Sequence, residues 1–162
     1  MDWIKVVRWV HIIAGAAWLG EVLTIILVIV PAIDRMELVD RANTIKLIFP
    51  RVFRMASFLS LTAVAAGLTL SYLMTGWKDL NVLIVSLWGS AILIGGLLGL
   101  GLMLFHFVIE RRLDSLVDSL GDGASEAQVE RISRYLHIIP RAGVVILIFI
   151  FILMMVAARG AP

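Results

Sequence analysis

From Asn81 to Ile109 the chain reads NVLIVSLWGSAILIGGLLGLGLMLFHFVI, with no Asp, Glu, Lys or Arg anywhere in it. A run of this length and polarity has few ways to fold. A helix crossing the hydrocarbon core of a bilayer needs about 20 predominantly apolar residues. Backbone amides placed in lipid must also be satisfied inside their own segment, which selects helix over open strand. Three more segments meet the same condition, so the expected spans are about 4–30, 52–76, 81–109 and 136–158. Composition agrees: 61% of the 162 residues are hydrophobic and 16% charged, with mean hydropathy +1.02. A soluble domain of that length could not hide so much apolar surface. The expectation is a single all-α transmembrane domain over 1–162, an up-down four-helix bundle.

Local signals mark the ends. Pro31 is expected to stop the first span and Gly76 the second. The linker WKDLN turns into the third span and carries Lys78 in the loop. The polar stretch 110–134 joins the third span to the fourth. Within it, Gly121-Asp122-Gly123 should break the third helix's extension. Ser125 with Gln128 has the pattern of a capping box opening the fourth helix before it enters the membrane. The first segment continues to Pro31 as a full span, without the short apolar core and small-residue cleavage site of a secretory signal.

Orientation follows from the basic residues. Lys5, Arg8, Lys78 and Arg159 flank one side; Arg35, Arg41, Lys46, Arg51, Arg54, Arg111, Arg112, Arg131, Arg134 and Arg141 flank the other. By the positive-inside rule the second group is cytoplasmic and both termini are outside, as in the cytoplasmic membrane of a prokaryote. Trp3, Trp9 and Trp77 would then mark the outer interface. The small net charge of +2, carried in loops, fits membrane orientation and gives no basis for nucleic-acid binding.

The absence of cysteine excludes disulfides, thiolate metal sites and cysteine nucleophiles. Zinc-hydrolase spacing and phosphate-binding glycine loops are missing as well. Chemistry must therefore come from the ionisable groups placed in the spans, which are costly there and usually functional. At ~100° per residue, His11, Ala14, Gly15, Trp18, Glu21 and Ile25 share one face of the first helix. The small residues beside His11 leave room for a flat cofactor, or simply for a neighbouring helix. In the third span Trp88, Ile92, Gly95, Gly99, Leu102 and His106 form a stripe; in the fourth, His137 shares a face with Arg141, Val144 and Ile148, beside Pro140. Glu21, near mid-membrane, has several candidate roles: proton relay, quinol contact, cation coordination, or a hydrogen bond to Ser60, Ser86 or Ser90.

Depth separates the histidines. His106 and His137 belong to the cytoplasmic end, and His11 lies near the outer end, roughly 20 Å away at 1.5 Å per residue. One metal ion is therefore not expected to bind all three. Two imidazoles on facing helices can hold a b-type haem, which makes His106 and His137 the expected axial pair. Arg141, with its basic neighbours, would offer charge to the propionates. Copper is the alternative, through His11, Glu21 and methionines. The methionines provide no Met-x-x-Met or Met-x-Met pair within a span, only Met154-Met155.

The stretches WVHIIAGAAWLG, LVIVPAI and PRVFRMASFLSLTAVAAGLTL resemble the CopD-like membrane domains, the copper-resistance D proteins and their small relatives. The layout is also similar to that of HemJ-type protoporphyrinogen oxidases, small four-helix proteins that hold haem b. The resemblance spans nearly the whole chain and rests on His11, Trp18, His106 with Arg111 and Arg112, and Pro140. It implies that His11 is a haem ligand. HemJ proteins carry a lysine early in the third helix as the second ligand, where this chain has NVLIVSLW. If two haems stacked across the bilayer, His11 would serve the outer one, where Tyr72, Met74 and Asn81 are the only candidate partners. The function expected on these grounds is a membrane haem b protein transferring electrons, between quinol and an acceptor. The alternatives are a copper-binding or copper-transporting protein and a structural subunit of a homo-oligomer or larger membrane complex.

Overall fold

The computed structural model describes residues 2–77, 81–120 and 125–159. The expected loop position of Lys78 and the break at Gly121-Asp122-Gly123 lie outside the described residues. The described chain is all α: α1 (Trp3–Thr24), a π-helical turn (Ile25–Ile29), α2 (Val30–Ile33), α3 (Leu38–Thr75), α4 (Asn81–Val85), α5 (Leu87–Asp118) and α6 (Glu126–Arg159). Four of these helical stretches, Trp3–Ile33, α3, α5 and α6, are long and apolar enough to cross a membrane. Around the bundle α1 packs on α3, α3 on α5, α5 on α6, and α6 closes back on α1.

Pro31 does not stop the first span. Its ring and missing N–H disrupt the regular i→i−4 ladder, and the chain absorbs this one turn earlier. The Val30 N–H bonds the Ile25 carbonyl in an i→i−5 π turn, and helix resumes through Ile33. Gly76 ends α3 as expected, in the left-handed region at φ 60°, with its N–H donating to the Tyr72 carbonyl at 2.7 Å. The third span, expected to be unbroken over 81–109, is interrupted at Ser86. There the backbone is extended and the hydroxyl caps α5 by accepting from the Gly89 N–H at 2.9 Å. The capping box at Ser125 is present: Gln128 Oε1 accepts from the Ser125 N–H at 2.9 Å, and the Gln128 N–H points back to Ser125 Oγ at 3.4 Å.

The helices overrun the expected spans at one end of the bundle. With 38 residues at ~1.5 Å each, α3 is roughly 57 Å long, nearly twice a hydrocarbon core. Its first turns, the end of α2, the last turns of α5 and the first of α6 form an extended end. Packing is tightest there: Ile45, Phe49 and Val129 are wholly buried, beside Leu113, Val117, Leu120 and Ile132. By contrast only 11% of the most apolar window of α5, and of α6, is buried. Lipid solvates leucine as well as a neighbouring helix does, so apolar burial drives association only where helices emerge into water. The middle of the bundle keeps a smaller core of Trp18, Met103 and Leu147, and the opposite end one of Trp88, Ala91 and Ala157.

Candidate functional site

On α1, Ala14, Trp18 and Glu21 are buried, as is Ile25 just beyond it, while His11 and Gly15 are half-buried, so the polar face expected for this helix does point into the bundle. Trp18, 4% exposed, packs with Met103 and Leu147. One turn on, Glu21 is 7% exposed. Among the described residues neither of its buried carboxyl oxygens has a hydrogen-bond partner. None of the three expected serines reaches it. Ser60 donates to the Ser57 carbonyl, Ser86 to that of Val82 and Ser90 to that of Leu87. Ser60 and Ser90 turn back on their own helices and Ser86 on α4, the usual fate of serine where no water competes.

Trp18 and Glu21 line a cavity of about 70 Å³ between α1, α3, α5 and α6, together with Phe53, His106, Glu110 and Pro140. His106 Nε2 lies 3.4 Å from the Phe53 carbonyl and 3.8 Å from Glu110 Oε2. The Ser57 hydroxyl donates to the same Glu110 oxygen. Sequence reading overlooked Glu110 and Ser57. Glu110 had a usable signal: it follows His106 by four residues and so falls on the same helical face. It opens the run ERR, which reads as a loop flank. Ser57 had no such signal, because only the packing of α3 on α5 brings it to Glu110.

His137 and Arg141 do not line this cavity. α6 faces it with Leu136, Ile139, Pro140, Gly143 and Leu147, leaving Arg141 and Ile148 exposed. Both ring nitrogens of His137 are engaged, Nδ1 with the Ser133 carbonyl at 2.7 Å and Nε2 with Asp34 Oδ2 at 2.9 Å. The Arg141 guanidinium donates to the His137 carbonyl at 2.8 Å. The membrane half of α6 is apolar on every side, so periodicity alone cannot set its rotation.

His11 meets α3 instead. Its Nδ1 is 2.8 Å from the Ala63 carbonyl and its ring lies against Gly67, where a Cβ would come within 2.9 Å of Cε1. Among the described residues its Nε2 has no hydrogen bond. Along α3, the partners of His11 and His106 (Ala63 and Phe53) are separated by roughly 15 Å of helix. His137 is joined to Asp34, in the turn after α2. No cluster of three or more His, Asp or Glu side chains suited to a metal ion occurs among the described residues.

These placements bear on a haem. Cofactor clefts usually enclose about 300–1,000 Å³, so the cavity at His106 does not fit a macrocycle as packed. His137, with both nitrogens engaged elsewhere, does not complete an axial pair across it. His11 is different. Metal-binding imidazoles commonly donate one N–H to a carbonyl, which fixes the tautomer and frees the other nitrogen's lone pair. His11 has that arrangement, with Gly67 as the cradle that admits the ring. No family model, curated protein or solved structure matches this chain.

Proposed function

We propose that this protein is a membrane-embedded haem b protein that transfers electrons, with His11 as its haem ligand. The observation that carries the reading is the state of the His11 ring, held through Nδ1 by the Ala63 carbonyl with Nε2 unengaged among the described residues. The resemblance to CopD-like and HemJ-type proteins supports the same residue. Bound haem would supply a one-electron carrier. The chain's part is to hold the imidazole in one tautomer and one orientation, which Ala63 and Gly67 do together. Quinol is the donor class proposed, because it is carried in the same bilayer. The basic residues around the extended end support placing that end in the cytoplasm of a prokaryote, with both termini outside.

The visible spectrum of the detergent-purified chain, expressed with ample haem, tests this. A Soret band that His11→Ala abolishes, and that His137→Ala leaves in place, is the expected result. Colourless protein refutes haem binding, and an unchanged His11→Ala spectrum refutes the ligand. Stoichiometric copper without iron would replace the reading with the copper one.

A further inference from the structure

Glu21 has no role in the haem site, and packing alone gives no reason for a buried carboxyl without a partner among the described residues, which is rare and unfavourable. Its surroundings restrict what can satisfy it. The cavity it lines, about 70 Å³, is smaller than the roughly 150 Å³ engineered cavity that takes up benzene. A ring-sized ligand is therefore too large. Water needs only ~10–15 Å³ in the same measure, provided two to four polar partners are present. The cavity meets both conditions. Glu21, whose two carboxyl oxygens have no hydrogen-bond partner among the described residues, lines one side, and His106 and Glu110 add polar groups on α5. Trp18, Phe53, Leu102 and Leu147 make the remaining wall apolar, so water there is confined to the polar side.

The polar groups also run in a direction. From Glu21 the cavity leads to Glu110, which is steadied by the Ser57 hydroxyl, and it is bordered at the extended end by Tyr135, which is 38% exposed. We propose that the cavity is a hydrated proton path: a short chain of water joins Glu21 to Glu110, and Glu21 exchanges its proton along it with solvent at the extended end. In each transfer the Glu21 O–H proton passes to the adjacent water, which hands one of its own protons onward to the Glu110 carboxylate. One O–H bond breaks for each that forms, and no electron moves. The path gives a proton from water a route to the middle of the bundle, as a proton-consuming or proton-releasing reaction within the membrane requires.

Infrared difference spectroscopy of the purified full-length chain on transfer from H₂O to D₂O tests the path, with or without haem bound. The band of a protonated carboxyl, assigned to Glu21 by its loss in Glu21→Gln, should shift within the mixing time. Gly143→Leu should fill the cavity, since Gly143 lines it and a Cβ there meets nothing within 4 Å. That variant should slow the shift by roughly tenfold or more, because exchange would then need local opening. Glu110→Gln, which keeps the shape of the wall, should slow it as well and covers the case in which Gly143→Leu fails to fold. The proposal is overturned if no band is lost in Glu21→Gln, or if exchange is equally fast in both path variants. It is overturned too if sodium ions displace the Glu21 band at constant pH, which would make the cavity a cation site.

Discussion

Gly67→Ala is the sharpest test of how His11 is held. A Cβ at this position would lie 2.9 Å from His11 Cε1 and 3.1 Å from Nδ1, so the imidazole must move. Overpacking of this kind costs about 1–3 kcal/mol. Moving the ring also lengthens the 2.8 Å contact with the Ala63 carbonyl. A hydrogen bond between membrane helices contributes about 0.6–2 kcal/mol. Against this, replacing glycine by alanine inside a helix stabilises it by about 1 kcal/mol. The expected net effect is a destabilisation of about 2 kcal/mol. In a His11→Ala background there is no ring to meet, so the same substitution should stabilise by about 1 kcal/mol. The sign reverses, and the coupling of about 3 kcal/mol is at the upper end for residues in contact. Unfolding in mixed micelles of increasing SDS content, followed by far-ultraviolet circular dichroism, measures both legs of the cycle. Equal effects of Gly67→Ala in the two backgrounds would refute the claim that His11 packs on Gly67. So would stabilisation with His11 present.

Three further outcomes follow from the packing. Gly89→Ala places a Cβ against the Val82 carbonyl oxygen and 2.5 Å from the Leu83 Cα, against backbone that cannot swing aside; amide exchange should accelerate across α4 and the first turn of α5 while α6 is unchanged. Phe49→Ala, at a wholly buried site 5.5 Å from the Phe53 ring, should cost about 3–5 kcal/mol in the same micellar unfolding assay. Asp2 caps α1, and the Lys5 side chain, 3.2 Å away, holds its carboxyl below the usual carboxylate range. A carboxyl depressed in the fold contributes above its unfolded pKa, about 3.9, and that contribution fades as pH falls through the lower folded value. The protection factor of the amides in the first turn of α1, taken against the intrinsic exchange rate at each pH, should therefore fall on acidification below about pH 4, and in Asp2→Ala it should already be low at neutral pH.

Fold class was legible in the sequence because it depends on quantities that add along the chain. Apolar length decides that a segment can span, and backbone satisfaction in lipid decides that it is helical. The αL stop at Gly76 and the Ser125–Gln128 box were legible for a related reason, since each is completed within a few residues. The inward face of α1 could be read because His11, Ala14, Trp18 and Glu21 fall on one side of it.

What the sequence left open depends on how the helices are rotated against one another. In α6 the apolar residues surround the helix, so their periodicity alone does not set which face turns inward. Packing chose the face of Pro140 and Gly143, sending His137 to Asp34 and leaving His106 to share a cavity with Glu21 and Glu110. Likewise the π turn before Pro31 and the interruption at Ser86 are local adjustments whose form depends on what the helix must reach next. His11 shows the division most plainly. Its residue type, depth and small neighbours were evident from residues 11–18 alone, but its partner was not. Ala63 and Gly67 lie more than fifty residues away and carry no polar side chain. Only the close approach of α1 to α3 turns a backbone carbonyl and a missing Cβ into a seat for an imidazole.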